Sequence, residues 1–194
     1  VLSLYSAGRL NGVVLDLGDS SSIATPVYSG YYITNTAVSA NLAGKEITAM
    51  LQKLLNERGY NLISYSQQEI VNEIKEKHCF LAADFDSELK KPETLFDYSL
   101  PDGKVIKVGN ETFRSAELLF KPQLNGLEVK GIDQILAESI EKCEEKIRKE
   151  LFSSIVISGG TSKLNQFTQR IQNEMVKHAP AGTTVNVVEP HKRQ

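Results

Sequence analysis

The stretch VVLDLGDSSS, residues 13–22, constrains the fold more than any other part of this chain. Its apolar half alternates loosely and is rich in valine and leucine, which reads as a half-buried strand. It ends on Asp16, Gly18 and Asp19, with Ser20 opening a run of small hydroxyl residues. SIATPVYSGYYI reads as the returning strand, so the two form a hairpin with GDSS at its tip. Pro26 has no backbone N–H to give, which confines that strand to an edge or a strand end. Much later, IVIS runs into Gly159 and Gly160, then Thr161 and a helix.

Each of these glycine turns has an ordinary reading as a tight connection and a chemical one. Successive N–H groups at a hairpin tip can form an anion nest, to which serine hydroxyls add donors. Paired glycines let a ligand approach the backbone with no Cβ in the way, and a helix start offers free N–H groups. One chain carrying both points to a phosphate tail on the first turn and a nucleoside on the second. Asp16 would then face a phosphate-bound Mg²⁺, a hard cation that suits oxygen ligands and keeps its waters.

Length and composition allow this. A chain of 194 residues can bury roughly 70% of its unfolded surface without staples. A net charge of −2 supplies no basic field for nucleic acid or an anionic membrane. No apolar run reaches membrane-spanning length and no signal peptide is visible. Cys79 and Cys143 lack metal-ligand spacing and read as buried or free thiols of a reducing cytosol. VLSLYSAGR reads as the last turns of a helix closing at Gly8, which suggests that sequence upstream of Val1 has been removed.

Further along, the pattern predicts a helix over 44–58 stopped by Gly59, and a second opened by a capping box at Ser66–Glu69 and running to about Ala82. A hairpin follows about Pro101, Asp102 and Gly103. SELKKPETL is polar and reads as a surface loop, SAELLF as a short helix. Residues 132–151 read as the longest helix, with Ile140, Cys143, Ile147 and Leu151 on one stripe. A final helix carries Phe167, Ile171 and Met175, and VNVVEP is a last strand. The order is that of an α/β chain. Residues 1–42 and 127–194 read as a core lobe, and the polar middle, 43–126, as an inserted α+β subdomain.

These segments resemble actin. VLSLYSAGR, VVLDLGDSSS, NLAGKEIT, LNERGY, EIVNEIKEKHCFLAADF, LPDGKVIKVGNETFR, KCEEKIRKEL and VISGGTSK are similar to successive actin segments in the same order. They cover the inner half of actin, its third and fourth subdomains, with the outer lobe absent on both sides. The resemblance implies the actin, Hsp70 and sugar-kinase lobe, a ribonuclease H-like fold. It implies ATP or ADP with Mg²⁺ or Ca²⁺ in a cleft, and a cytoplasmic, cytoskeletal protein that partners other actin-like subunits in a filament, and profilin.

By position, Asp16, Gly18, Asp19 and Ser20 are similar to a phosphate-binding loop, with Asp16 orienting water around the metal. Lys75 and Glu76 are similar to residues beside the adenine and ribose, although alone they read as solvent-facing charges. Gly159, Gly160 and Thr161 are similar to the adenosine-binding turn. Several positions depart from the family. Ile23 replaces a histidine that helps place the attacking water. Asn72 replaces an arginine near the adenine, Leu164 a tyrosine near the base, and Gln194 a lysine that packs on it. The loop KPQLNGLEV is more polar than the apolar plug of actin filaments. The expectation is an ATP hydrolase as the intact parent, with these residues alone not catalytic. The alternative is an actin-related assembly subunit with a structural nucleotide and little hydrolysis.

Overall fold

The structure, a computed structural model, describes residues 1–189; Gln194 and His191 lie outside them. A short helix α1 (Leu2–Ser6) precedes the hairpin of β1 (Gly12–Leu17) and β2 (Ser22–Tyr28), in which Asp16 stands opposite Ile23. Two short strands, β3 (Tyr31–Tyr32) and β4 (Val38–Ala40), both pair with the outer side of β2. Strand β2 is therefore not an edge. Pro26 falls between the stretches that β3 and β4 cover. Its carbonyl accepts from the Ile33 N–H there (3.0 Å), so the missing N–H faces a gap in the ladder.

Helices α2 (Gly44–Glu57) and α3 (Tyr65–His78) follow. The cap of α3 is Ser64, not Ser66. The Gln67 N–H donates to Ser64 Oγ, and the Ser64 N–H donates to Gln67 Oε1 at 2.9 Å, so the first of two overlapping S-x-x-E/Q patterns is used. Helix α3 ends at His78, four residues short of the expected stop. The chain then extends, and the Leu81 N–H donates to the Asn165 carbonyl (3.0 Å). The polar stretch beyond holds a single-turn helix, α4 (Phe85–Leu89), capped by Asp84. Strands β5 (Phe96–Ser99) and β6 (Val105–Val108) form a separate two-stranded sheet, and α5 (Glu111–Ala116) follows.

The expected long helix is two: α6 (Ile132–Glu141) and α7 (Glu145–Phe152). Ile140, Cys143, Ile147 and Leu151 are all buried, so the apolar stripe survives the break. Arg148 makes the break possible. It donates to the Cys143 carbonyl (2.9 Å) and the Glu141 carbonyl (2.7 Å), groups that a helix end leaves without partners. The chain closes with β7 (Ile155–Ser158), α8 (Phe167–His178) and β8 (Val187–Val188).

The main sheet runs β3-β2-β1-β7-β8, with β4 also on β2. Side chains alternate across it. Val13, Leu15, Leu17, Ile155 and Ile157 face a large buried cluster that runs without a break through α2, α3, α6, α7 and α8. Val14, Val27 and Val156 face the other way, against Leu4 of α1. Arg170 anchors α8. Its buried guanidinium donates to both oxygens of Glu117 (2.9 Å each), to the Ala82 carbonyl (2.7 Å) and to Glu174 (2.8 Å), and it lies over the Phe120 ring. Burial works against that charge, yet the hydrogen bonds and charges of Glu117 and Glu174 outweigh it and hold the guanidinium above its ordinary range.

Candidate functional site

Strands β1 and β7 are neighbours and parallel, with Asp16 beside Ser158. Parallel neighbours end at the same side of a sheet, so the turn after each strand emerges at one place, the usual location of a ligand crevice in α/β folds. The two turns touch. Thr161 Oγ1 donates to the Gly18 carbonyl at 2.7 Å. Gly159 has φ +94°, and a Cβ built on it would lie 2.1 Å from the Leu17 carbonyl oxygen, so only glycine permits this approach.

The start of α2 joins them. The Gly44 N–H donates to the Gly18 carbonyl (3.3 Å) and the Lys45 N–H to the Asp19 carbonyl (2.8 Å). A Cβ on Gly44 would meet Thr161 Oγ1 at 2.8 Å and Asp19 Oδ1 at 3.1 Å. Gly44 was not singled out in the sequence; its only signal is a glycine at a helix start after small residues.

Between these elements lies a cavity of about 410 Å³. Six of the expected residues line it: Gly18, Asp19, Lys75, Glu76, Gly160 and Thr161. Ile47 and Leu164 supply apolar wall, and Lys163 stands at the same wall. Lys75 is the unexpected member. It is 8% exposed, against the solvent-facing reading that the sequence alone gave. Its Nζ donates to the Gly44 carbonyl at 3.4 Å and forms no ion pair among the described residues. An ammonium has three donors, so this buried cation keeps donors to spare beside the cavity. Glu76 accepts from Asn72 Nδ2 (3.4 Å), and Asn72 Oδ1 accepts from Thr48 Oγ1 (3.4 Å). Asn72 thus steadies Glu76.

Three expected residues do not line this cavity. Gly159 is packed into its turn, on the side of a second, more open groove of about 1040 Å³ that also borders Ser158 and α8. Ser20 is exposed at the hairpin tip. Asp16 is exposed on the α1 face of the sheet, between Ile23 on β2 and Ser158 on β7; Ser158 Oγ in turn accepts from Ser3 Oγ (3.1 Å). Among the described residues no three His, Cys, Asp or Glu side chains gather into a metal site.

A family model described as Actin matches residues 1–194. The chain belongs to the actin family. It is 42% identical, over 97% of its length, to a Dictyostelium discoideum protein named "Putative actin-29". It spans half the length of that relative. The mixed sheet with helices packed on it is the α/β actin fold. Actin-family proteins generally depend on a nucleotide and a divalent cation and belong to the cytoskeleton. No helix among the described residues is long and apolar enough to cross a membrane.

The residues present fit a nucleotide. A buried ammonium with unspent donors calls for an anionic or strongly accepting ligand. A Cβ added to Gly160 would meet nothing within 4 Å, so the backbone there is open to a bound group.

Proposed function

We propose that this chain forms one wall of an ATP/ADP site in an actin-like, filament-forming protein. The observation that carries the reading is Lys75, a buried cation without an ion-pair partner among the described residues, at the cavity where the two glycine turns meet. In this reading Gly18, Asp19 and Ser20 hold the phosphates. Lys75 and Glu76 hold the ribose and base edge, and Gly159, Gly160 and Thr161 carry the adenosine. Asp16 does not line the cavity; in this reading the phosphates extend past the hairpin tip toward the α1 face, where Asp16 orients water around a Mg²⁺ or Ca²⁺ held mainly by phosphate oxygens. The bound nucleotide supplies the phosphoanhydride and the metal its positive charge; the chain's own part is to position and to exclude water.

Phosphoryl transfer needs donors on more than one side of the phosphates and a held water. The groups gathered here make a single wall. We therefore assign weak nucleotide binding and no turnover to these residues alone, and slow hydrolysis to the protein with its second lobe. Other actin-like subunits are the proposed filament partners, with profilin a further one, in the cytoplasmic cytoskeleton.

A second reading rests on Ile23, 39% exposed and opposite Asp16. A side chain that cannot hydrogen-bond water there favours a structural nucleotide in an assembly subunit. The test is thermal unfolding against rising Mg-ATP, since a ligand that binds only the folded chain raises its midpoint. The midpoint should rise with concentration in the wild type and not in Lys75→Met. No rise at millimolar nucleotide, or an equal rise in both, overturns the reading. Phosphate release at a steady rate by the isolated chain overturns the assignment of no turnover.

A further inference from the structure

The cavity wall contains a group that bears on which base it takes. Its apolar part, Ile47 and Leu164, is aliphatic, and among the described residues no aromatic side chain lines it. Aliphatic walls accept a flat base by shape and do not choose between purines. Among the described residues the choice falls to side chains that hydrogen-bond: Asp19 stands at the hairpin tip and Thr161 is bonded to the Gly18 carbonyl, which leaves Lys75, Glu76 and Lys163 for the base. Lys75 is buried and tied to the Gly44 carbonyl. Glu76 is an acceptor steadied by Asn72. Lys163 differs from both. It ends the turn that starts at Gly160, it is exposed, and its side chain makes no hydrogen bond or ion pair among the described residues. It borders both the cavity and the open groove beyond Gly159, so its ammonium is free to swing over the cavity's nucleoside end.

We propose that Lys163 reads the 6-position of the purine, so that this site takes guanine nucleotides at least as well as adenine nucleotides. The inference rests on the nucleotide reading above and departs from it on the base, adding guanine nucleotides to the adenine nucleotides named there. An ammonium only donates. Guanine presents two adjacent acceptors, N7 and O6, on one edge, whereas adenine presents N7 beside an amine that itself donates. Lys163 therefore finds two partners on a 6-oxo purine and one partner plus an opposed donor on adenine. Glu76 adds in the same direction, because a carboxylate accepts from the N1–H and 2-amino group of guanine. An aliphatic wall offers no compensating preference for adenine.

The test is equilibrium competition against a ribose-labelled ATP and a ribose-labelled GTP, with Mg²⁺, on the 194-residue chain. Unlabelled ATP, GTP and ITP are the competitors; ITP keeps O6, N7 and N1–H and lacks only the 2-amino group, so GTP against ITP reads the 2-amino bond to Glu76, while the losses in Lys163→Met read the contact to O6 and N7. GTP and ITP should compete at least as well as ATP. Lys163→Met should weaken GTP and ITP about fivefold to tenfold, the low end for a base-edge contact made by an exposed side chain, and ATP less than about twofold. ATP binding with GTP about tenfold weaker, or equal losses for all three in Lys163→Met, overturns this inference and leaves the nucleotide site standing. Binding of neither labelled nucleotide overturns the site reading and this inference with it.

Discussion

Replacing Arg170 with methionine tests how the α8 anchor is held. The guanidinium is 4% exposed and the Glu117 carboxylate 0%, and the two share paired hydrogen bonds. Methionine keeps most of the stem that packs against Phe120 and removes the charge, leaving Glu117 buried. Removing one partner of such a pair costs about 3–5 kcal/mol, because the remaining charge is left uncompensated. Lys121, with Nζ 3.5 Å from Glu117, is a partial substitute, but it is 45% exposed and its help is screened. We therefore expect about 3 kcal/mol. With a urea dependence of about 2 kcal/mol per molar, the unfolding midpoint falls by about 1.5 M. The double variant Glu117→Leu, Arg170→Met removes both charges. It should recover all but about 1–2 kcal/mol, the remainder being the Ala82 carbonyl that loses its donor. Urea unfolding followed by circular dichroism measures the whole cycle. A loss under about 1 kcal/mol for Arg170→Met, or a double variant as weak as the two single losses added, refutes the argument that an unpaired buried charge sets the cost.

Other outcomes follow from the same geometry. Gly159→Ala forces a Cβ against Leu17 at a positive φ and should lower the thermal midpoint or prevent folding, while Gly160→Ala, with open space above it, should unfold like the wild type; equal effects would count against the described turn. The Cys79 thiol is pushed up to about 12, chiefly by burial and against the Ser115 hydrogen bond, and burial raises Cys143 too. A thiol reagent at mildly alkaline pH should therefore label neither until urea unfolds the chain, and rapid native labelling of Cys79 would contradict its burial. Burial pushes the Glu174 carboxyl up, but Lys177 and Arg170 outweigh it and hold it below the ordinary range. Its stabilisation is present above about pH 4.3 and is lost as pH falls through the lower folded value, so Glu174→Gln should flatten the acid loss of stability; unchanged slopes across that range refute the linkage.

The meeting of the two turns was legible because each was a strand running into glycine, and a parallel pair must deliver both to one side. The burial of Lys75 was not legible. On α3 it follows Ile74, and a lysine beside an apolar position reads as a stem lying along the surface. Its Nζ reaches the Gly44 carbonyl, and it shares the cavity wall with Thr161, so its surroundings come from distant parts of the sequence. The break between α6 and α7 was hidden because the apolar stripe continues through it; its cause, Arg148 turning back onto two carbonyls, is a side-chain choice that periodicity does not record. The misplaced cap of α3 had a local cause. Ser64 and Ser66 both begin a pattern that ends in a glutamine or glutamate, and spacing alone does not rank them. Asp16 was found as a carboxylate on a strand, but its separation from the cavity follows from strand parity relative to Leu15 and Leu17, which a motif does not weigh.

The bond from Thr161 to Gly18 joins residues 143 positions apart. Contacts of such long sequence separation slow folding, because the loop must close before its reward arrives. During synthesis the hairpin would leave the ribosome long before its partner turn exists. The surface where the two turns meet then takes shape only after Thr161 has emerged, and nothing that binds there acts on the chain before that point. Early-folding segments would have to be guarded by their own local packing in the meantime.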